Sequence, residues 1–195
     1  MAAEIILGLT LIMSAIGFNK PVVIQYNLFR PYWFLRKRQY WTLISSGFVH
    51  ADVGHLLFNL LTFYFFAFRL QQAIGPSRFT ALYLIALVLS NTGTYLKRRG
   101  EPEYACLGAS GAILAVMFAE IVYFPTSRIA FLFLPIPIPA PLFAVLYLAY
   151  TIYSARQATD RINHDAHLDG ALTGLIFVGL TDWPAWLRAW HVILG

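Results

Sequence analysis

Cys106-Leu107-Gly108-Ala109-Ser110-Gly111-Ala112 opens an apolar run that continues to Phe124. A serine flanked by glycines, at the head of a helix long enough to enter a membrane, admits two readings. One is close packing: Ala105, Gly108, Ala112, Ala115 and Ala119 form a small-residue stripe, the usual surface on which membrane helices approach one another. The other is chemistry at Ser110. The stretch alone favours packing, and the balance shifts only with the rest of the chain.

Composition fixes the class. Of 195 residues, 59% are hydrophobic and 12% charged, against roughly 25% charged in soluble proteins, and the mean hydropathy is +0.64. A soluble chain of this length has too little interior to bury so much apolar surface. The sequence therefore reads as one polytopic membrane domain over residues 1–195. The net charge of +5 is small, and the basic residues sit in short connections, which suits anionic lipid headgroups and not nucleic acid. Cys106 is the only cysteine, so no intrachain disulfide forms. The run Ile5 to Phe18 has no basic segment before it and no cleavage site, and reads as a retained helix, not a signal peptide.

Six apolar spans are expected, making an all-α polytopic bundle. The first covers Ile5 to Ile24, with Pro21 near its end. The connection from Gln25 to Gly54 carries Tyr26, Phe29, Tyr32, Trp33, Phe34, Tyr40 and Trp41 among its arginines, the composition of a segment lying in the headgroup region. The second span is His55 to Leu70, with Asp52 placed to cap it. The third is Phe79 to Leu96, entered after Gly75-Pro76 and left at Lys97-Arg98-Arg99-Gly100, and the fourth is the serine span. Alternating prolines in Leu134-Pro135-Ile136-Pro137-Ile138-Pro139-Ala140-Pro141 forbid a helix and predict an extended turn before a fifth span from Pro141 to Tyr153. The sixth runs from Ala166 to Thr181, and Trp186, Trp190 and His191 form an interfacial tail.

Ionisable and amide groups inside such spans are costly, so each is a candidate for function or for pairing. They are His55 and Asn59 on one face of span two, Asn91, Glu120, His167 and Asp169. Asn59 and Asn91 also suit plain interhelical hydrogen bonds, and Glu120 suits pairing with a basic loop residue. His50, His55, His164 and His167 include an H-x-x-H spacing, but without H-E-x-x-H the usual zinc-hydrolase set is missing, and no metal is expected. A serine hydroxyl attacks an amide only when a neighbouring base takes its proton, and His167 is the best-placed base; Lys20, Lys37 and Lys97 lie at span ends or in loops. His55, Asn59 and backbone N–H groups around Ser110 are candidates to receive the oxyanion, with Gly108 and Gly111 letting the backbone approach a substrate. Helical rotation alone, however, turns Ser110 away from the Ala115/Ala119 stripe.

The constellation resembles the rhomboid family of intramembrane serine proteases. It is carried by Gly108-Ala109-Ser110-Gly111-Ala112, by His50-x4-His55-x3-Asn59, by Ala166-His167-x-x-Gly170-x-x-x-Gly174, and by the Pro-Ile-Pro-Ile run before span five. These motifs cover about residues 41–179. The resemblance implies a rhomboid-like six-transmembrane-helix bundle with Ser110 as nucleophile and His167 as general base. His55, Asn59 and the Ser110 N–H would form the oxyanion hole, and Gly170 and Gly174 would seat helix six on helix four. It implies substrates that are transmembrane helices of other membrane proteins, no cofactor, and a multi-pass location in a bacterial inner membrane. Two departures stand out: Trp41-Thr42 where many relatives carry Trp-Arg, which bears on the order of the first loop, and Asp169 beside the histidine. The alternatives are a silent rhomboid-like protein that escorts membrane proteins, as derlins do, and a small transporter or channel. The sequence does not indicate an oligomeric state.

Overall fold

The computed structural model describes residues 1–131, 134–157 and 162–195. The first span is α1 (Ala2–Asn19), which buries Ala3, Ile6, Thr10, Ser14 and Gly17 along one face and turns Ile5, Leu9, Ile12 and Ile16 outward. It stops five residues short of the expected Ile24. Pro21 disfavours the helical conformation at Lys20 (φ −130°, ψ 86°) and starts a separate helix, α2 (Pro21–Asn27).

The aromatic connection is ordered, as its composition suggests. It contains α3 (Pro31–Arg36), α4 (Thr42–Ser45) and a 3-10 turn (Ser46–Phe48). Phe34 packs edge-on against Phe29, Tyr40 and Tyr95, and Tyr26 stacks on Trp41. Thr42 is buried and its hydroxyl donates to the Gln39 carbonyl at 2.6 Å.

Next come α5 (Val53–Ile74), α6 (Pro76–Arg98) and α7 (Ser110–Tyr123). Asp52 caps α5 by accepting from the His55 N–H at 2.8 Å. Gly75, at φ +80°, and Pro76 together divide α5 from α6. The serine span starts its helix only at Ser110, so residues 106–109 form a loop above it. Every residue of α7 from Gly111 to Val122 is buried, which makes α7 the central helix of the bundle. Mean hydropathy and length qualify α1, α5 and α6 each to cross a membrane, and α7 is a shorter apolar helix.

The proline run is more ordered than an extended turn. β1 (Arg128–Phe131) and β2 (Leu134–Pro139) pair antiparallel, with Arg128 opposite Pro139 and Ile129 opposite Ile138. Prolines at every second position of β2 leave their missing N–H groups along one edge, so the other edge can still pair. The chain then forms α8 (Ala140–Gln157), α9 (His164–Thr181) and α10 (Trp183–Leu194). Buried residues of α8 are few (Ala140, Phe143, Thr151), so it lies at the edge of the bundle, while α9 packs deeply on α7 and α6. The tail of tryptophans is helical, with Ala185 and Ala189 inward and Trp183 and Trp190 outward. The protein is thus an all-α membrane bundle whose six principal helices, α1 and α5–α9, are the six expected spans.

Candidate functional site

Ser110 is the first residue of α7, and His167 lies in the first turn of α9. What brings them together is glycine on the opposing surfaces. A Cβ at Gly170 would collide with the Gly111 carbonyl, and one at Gly174 with the Ala115 carbonyl, so α7 and α9 touch backbone to backbone. The contact therefore runs through Ala115, a member of the expected stripe, and through Gly111, which that stripe did not include. His167 stands one turn before Gly170 and reaches Ser110, with Ser110 Oγ and His167 Nε2 2.8 Å apart. The other imidazole nitrogen, Nδ1, is 3.2 Å from the Tyr147 hydroxyl on α8.

The loop before Ser110 is held from several sides. Cys106 exchanges two backbone hydrogen bonds with Phe29, and the Gly108 N–H donates to the Ser46 carbonyl at 2.9 Å. Gly108 adopts φ +110°, and a Cβ there would lie 2.7 Å from the His55 ring. Both the conformation and the close ring demand glycine. Gly111 is confined similarly, between Ser90 of α6 and the Ala166 carbonyl of α9. Ser90, Asn91, Asn163 and Ser110 line a small recess beside the loop.

Of the expected oxyanion donors, His55 comes against the Gly108 backbone, while Asn59 sits one turn deeper and donates to the His55 carbonyl at 2.9 Å. Ala109 caps α7 without a side-chain hydrogen bond, so the first N–H groups of that helix keep their donor capacity at the site.

Other polar residues resolve into structural roles. Asn91 donates to the Leu43 carbonyl at 2.9 Å, the expected interhelical hydrogen bond, which ties α6 to α4 of the first connection. Glu120 pairs with Arg69 at 3.0 Å, a residue of α5 and not of a loop. Asp169 lies beside the imidazole in sequence but faces the other way, with its carboxylate against Gly93 of α6. Lys97 is engaged by Asp165 at 2.8 Å. The rings of His164 and His167 are 6.1 Å apart, and among the described residues no three His, Cys, Asp or Glu side chains gather into a metal-binding group.

Two contributors escaped the sequence reading. Asn163 caps α9 through the Ala166 N–H and donates to Thr94 at 2.9 Å, fixing the start of the histidine helix. Its position directly before an apolar run is a recognisable cap signal. Tyr147 gives no such signal, since only the fold brings it to His167. His50, named from the sequence as a metal candidate and as part of the family motif, is fully buried beneath the serine loop.

The sequence profile of the Rhomboid domain matches residues 37–183. The chain is 31% identical over 151 residues to RHOMBOID-like protein 12, mitochondrial, of Arabidopsis thaliana, covering 69% of this chain and 44% of that protein. It is 30% identical over 167 residues to the human presenilin-associated rhomboid-like protein, mitochondrial, covering 77% of this chain and 42% of that one. A shorter match, 38% over 79 residues, covers 40% of this chain and 38% of a rhomboid protein of Bacillus subtilis. The chain spans under half the length of each of these relatives.

Proposed function

The chain belongs to the rhomboid family, and from that premise we propose that it is an intramembrane serine protease cutting a peptide bond in or near a transmembrane helix of another membrane protein. The observation that carries this reading is the 2.8 Å hydrogen bond between Ser110 Oγ and His167 Nε2 inside an apolar bundle. Ser110 Oγ attacks the carbonyl carbon while its proton passes to His167 Nε2. The amide C–N bond then breaks, the leaving nitrogen takes that proton, and an acyl ester remains on Ser110. Water attacks the ester while His167 accepts its proton; the bond from the acyl carbon to Ser110 Oγ then breaks, His167 returns the proton to Oγ, and the new carboxyl end departs.

For Nε2 to accept, Nδ1 must hold the ring hydrogen, and the Tyr147 oxygen is its acceptor. The negative charge on the carbonyl oxygen falls to the Ser110 N–H at the α7 N-terminus, with His55 and Asn59 as side-chain donors. A helical substrate hides its carbonyls in its own hydrogen bonds, so the segment cut must first unwind, which favours small or helix-breaking residues there. The chemistry needs no cofactor. The partners are transmembrane substrates and surrounding lipid. The protein is integral to a membrane; two of the relatives above are named mitochondrial, and these names lend no support to the expected bacterial inner membrane.

A fluorophosphonate probe tests the reading. The purified wild type should be labelled at Ser110, and Ser110→Ala should neither label nor cleave a transmembrane substrate. A wild type that neither labels nor cleaves would favour the escort reading instead.

A further inference from the structure

His50 is 0% exposed, ionisable in principle, and unused by the chemistry above. It lies in the connection between the 3-10 turn and α5, and its two ring nitrogens face different elements. On one side is Ser14, on the buried face of α1. The Ser14 hydroxyl donates its single proton to the Phe48 carbonyl at 3.1 Å. Its oxygen lies 3.0 Å from His50 Nδ1 and is left only the role of acceptor there. Nδ1 must therefore carry the ring hydrogen, which leaves Nε2 bare.

Nε2 faces the Ala109 N–H at a long 3.5 Å. Ala109 is the residue directly before Ser110, and the His50 ring also meets His55 edge to face, 4.9 Å between centroids, under Gly108. In the other tautomer an N–H on Nε2 would oppose the Ala109 N–H, two donors pointing at each other, and the loop would have to shift. Burial, with His55 adding to it, holds the His50 imidazole at about 3, so it stays neutral in use.

We propose that Ser14 and His50 are positioning residues for the Ser110 hydroxyl. Ser14 fixes the Nδ1–H tautomer of His50, and the bare Nε2 holds the Ala109 N–H and so sets the loop from which Ser110 projects. This role rests on Ser110 being the nucleophile. It also assigns the Ala109 N–H to His50, leaving the Ser110 N–H as the backbone donor for the oxyanion.

The test combines labelling rates with histidine NMR on the full chain in detergent. With only five histidines, 15N-histidine spectra can be assigned by substitution. The His50 hydrogen should be on Nδ1 in the wild type. Ser14→Ala should slow fluorophosphonate labelling and lower kcat by about fivefold, the weight of one neutral hydrogen bond, with KM little changed. His50→Gln keeps an acceptor oxygen for Ala109 without any tautomer to fix, so adding Ser14→Ala to it should cost nothing further. A hydrogen on Nε2, or a Ser14→Ala protein that labels at the wild-type rate, overturns the role. A wild type that fails to react at all overturns the protease reading itself, which keeps the two failures distinct.

Discussion

The two ends of α7 handle buried polarity in opposite ways. At the C-terminal end Glu120 is met by Arg69 at 3.0 Å, and the guanidinium also donates to Ser127 at 2.8 Å and lies 3.7 Å over the Phe124 ring. One cation ties α5, α7 and the approach to the hairpin together. At the N-terminal end the groups around Ser110 are hydroxyls, imidazoles and amide N–H groups, held by the close approach of α9. A charge inside an apolar bundle is costly, and an ion pair offsets that cost by consuming the capacity of both partners. Neutral donors around Ser110 keep theirs. A site that must receive charge during a reaction cannot already hold its counter-ion, so the contrast accords with the proposed function, in which the first end serves the fold and the second the chemistry.

Substitutions should separate the two ends, and the dyad should give the largest effect. Ser110→Ala and His167→Ala should each lower turnover by about 10⁴-fold or more, and the double variant should fall no further, because nucleophile and base act as one unit. Losses that multiplied in the double variant would break the assignment. Asn59→Ala comes next, with turnover down by about two orders of magnitude, the weight of one oxyanion donor. Its resting hydrogen bond is to its own helix, so the melting temperature should barely move. Arg69→Met should behave in reverse, leaving turnover near normal while the protein is folded but lowering stability by about 2 kcal/mol. That is less than the 3–5 of a fully buried pair because the Arg69 side chain is half exposed. Calorimetry beside kinetics on the same preparations checks both. An Asn59→Ala protein that melts early yet turns over normally would make that asparagine part of the fold.

What the chain discloses in advance depends on the range of the interaction. The six helices follow from apolar runs and the break at Gly75-Pro76 from local backbone sterics, whereas the expected first span runs past Pro21 to Ile24 although the same sterics end the helix before it. Asp52 as a cap was equally legible, being an interaction over three residues. The prolines of residues 134–141 exclude a helix locally, but nothing local selects Arg128–Phe131 as their pairing strand. The rotation of α7 was hidden for a different reason. A helix buried on every side has no polar face to orient it, so its neighbours decide that Ala115 of the expected stripe meets α9 together with Gly111, and not with Gly108 or Ala112. His167 was legible as the best-placed base for Ser110, but that the two meet, 57 residues apart, came through resemblance, since helical rotation by itself pointed the serine elsewhere. Ser14, 36 residues from His50, and Tyr147, 20 from His167, had no motif to announce them.

The smallest effect sharpens the comparison most, because it isolates a single neutral contact at the reactive end. The Tyr147 ring packs on Phe143 and Phe118, with centroids 5.7 and 5.9 Å away, and Tyr147→Phe keeps that packing while removing only the oxygen opposite His167 Nδ1. The ring hydrogen on Nδ1 then loses its acceptor, and the imidazole is freer to turn or to adopt the tautomer that cannot take the Ser110 proton. One neutral hydrogen bond corresponds to about 1 kcal/mol, so kcat should fall about fivefold with KM unchanged. Tyr147→Ala removes the ring as well and should lower the melting temperature in addition. If Tyr147→Phe matches the wild type in kcat, the tyrosine serves packing and its hydroxyl does not orient His167.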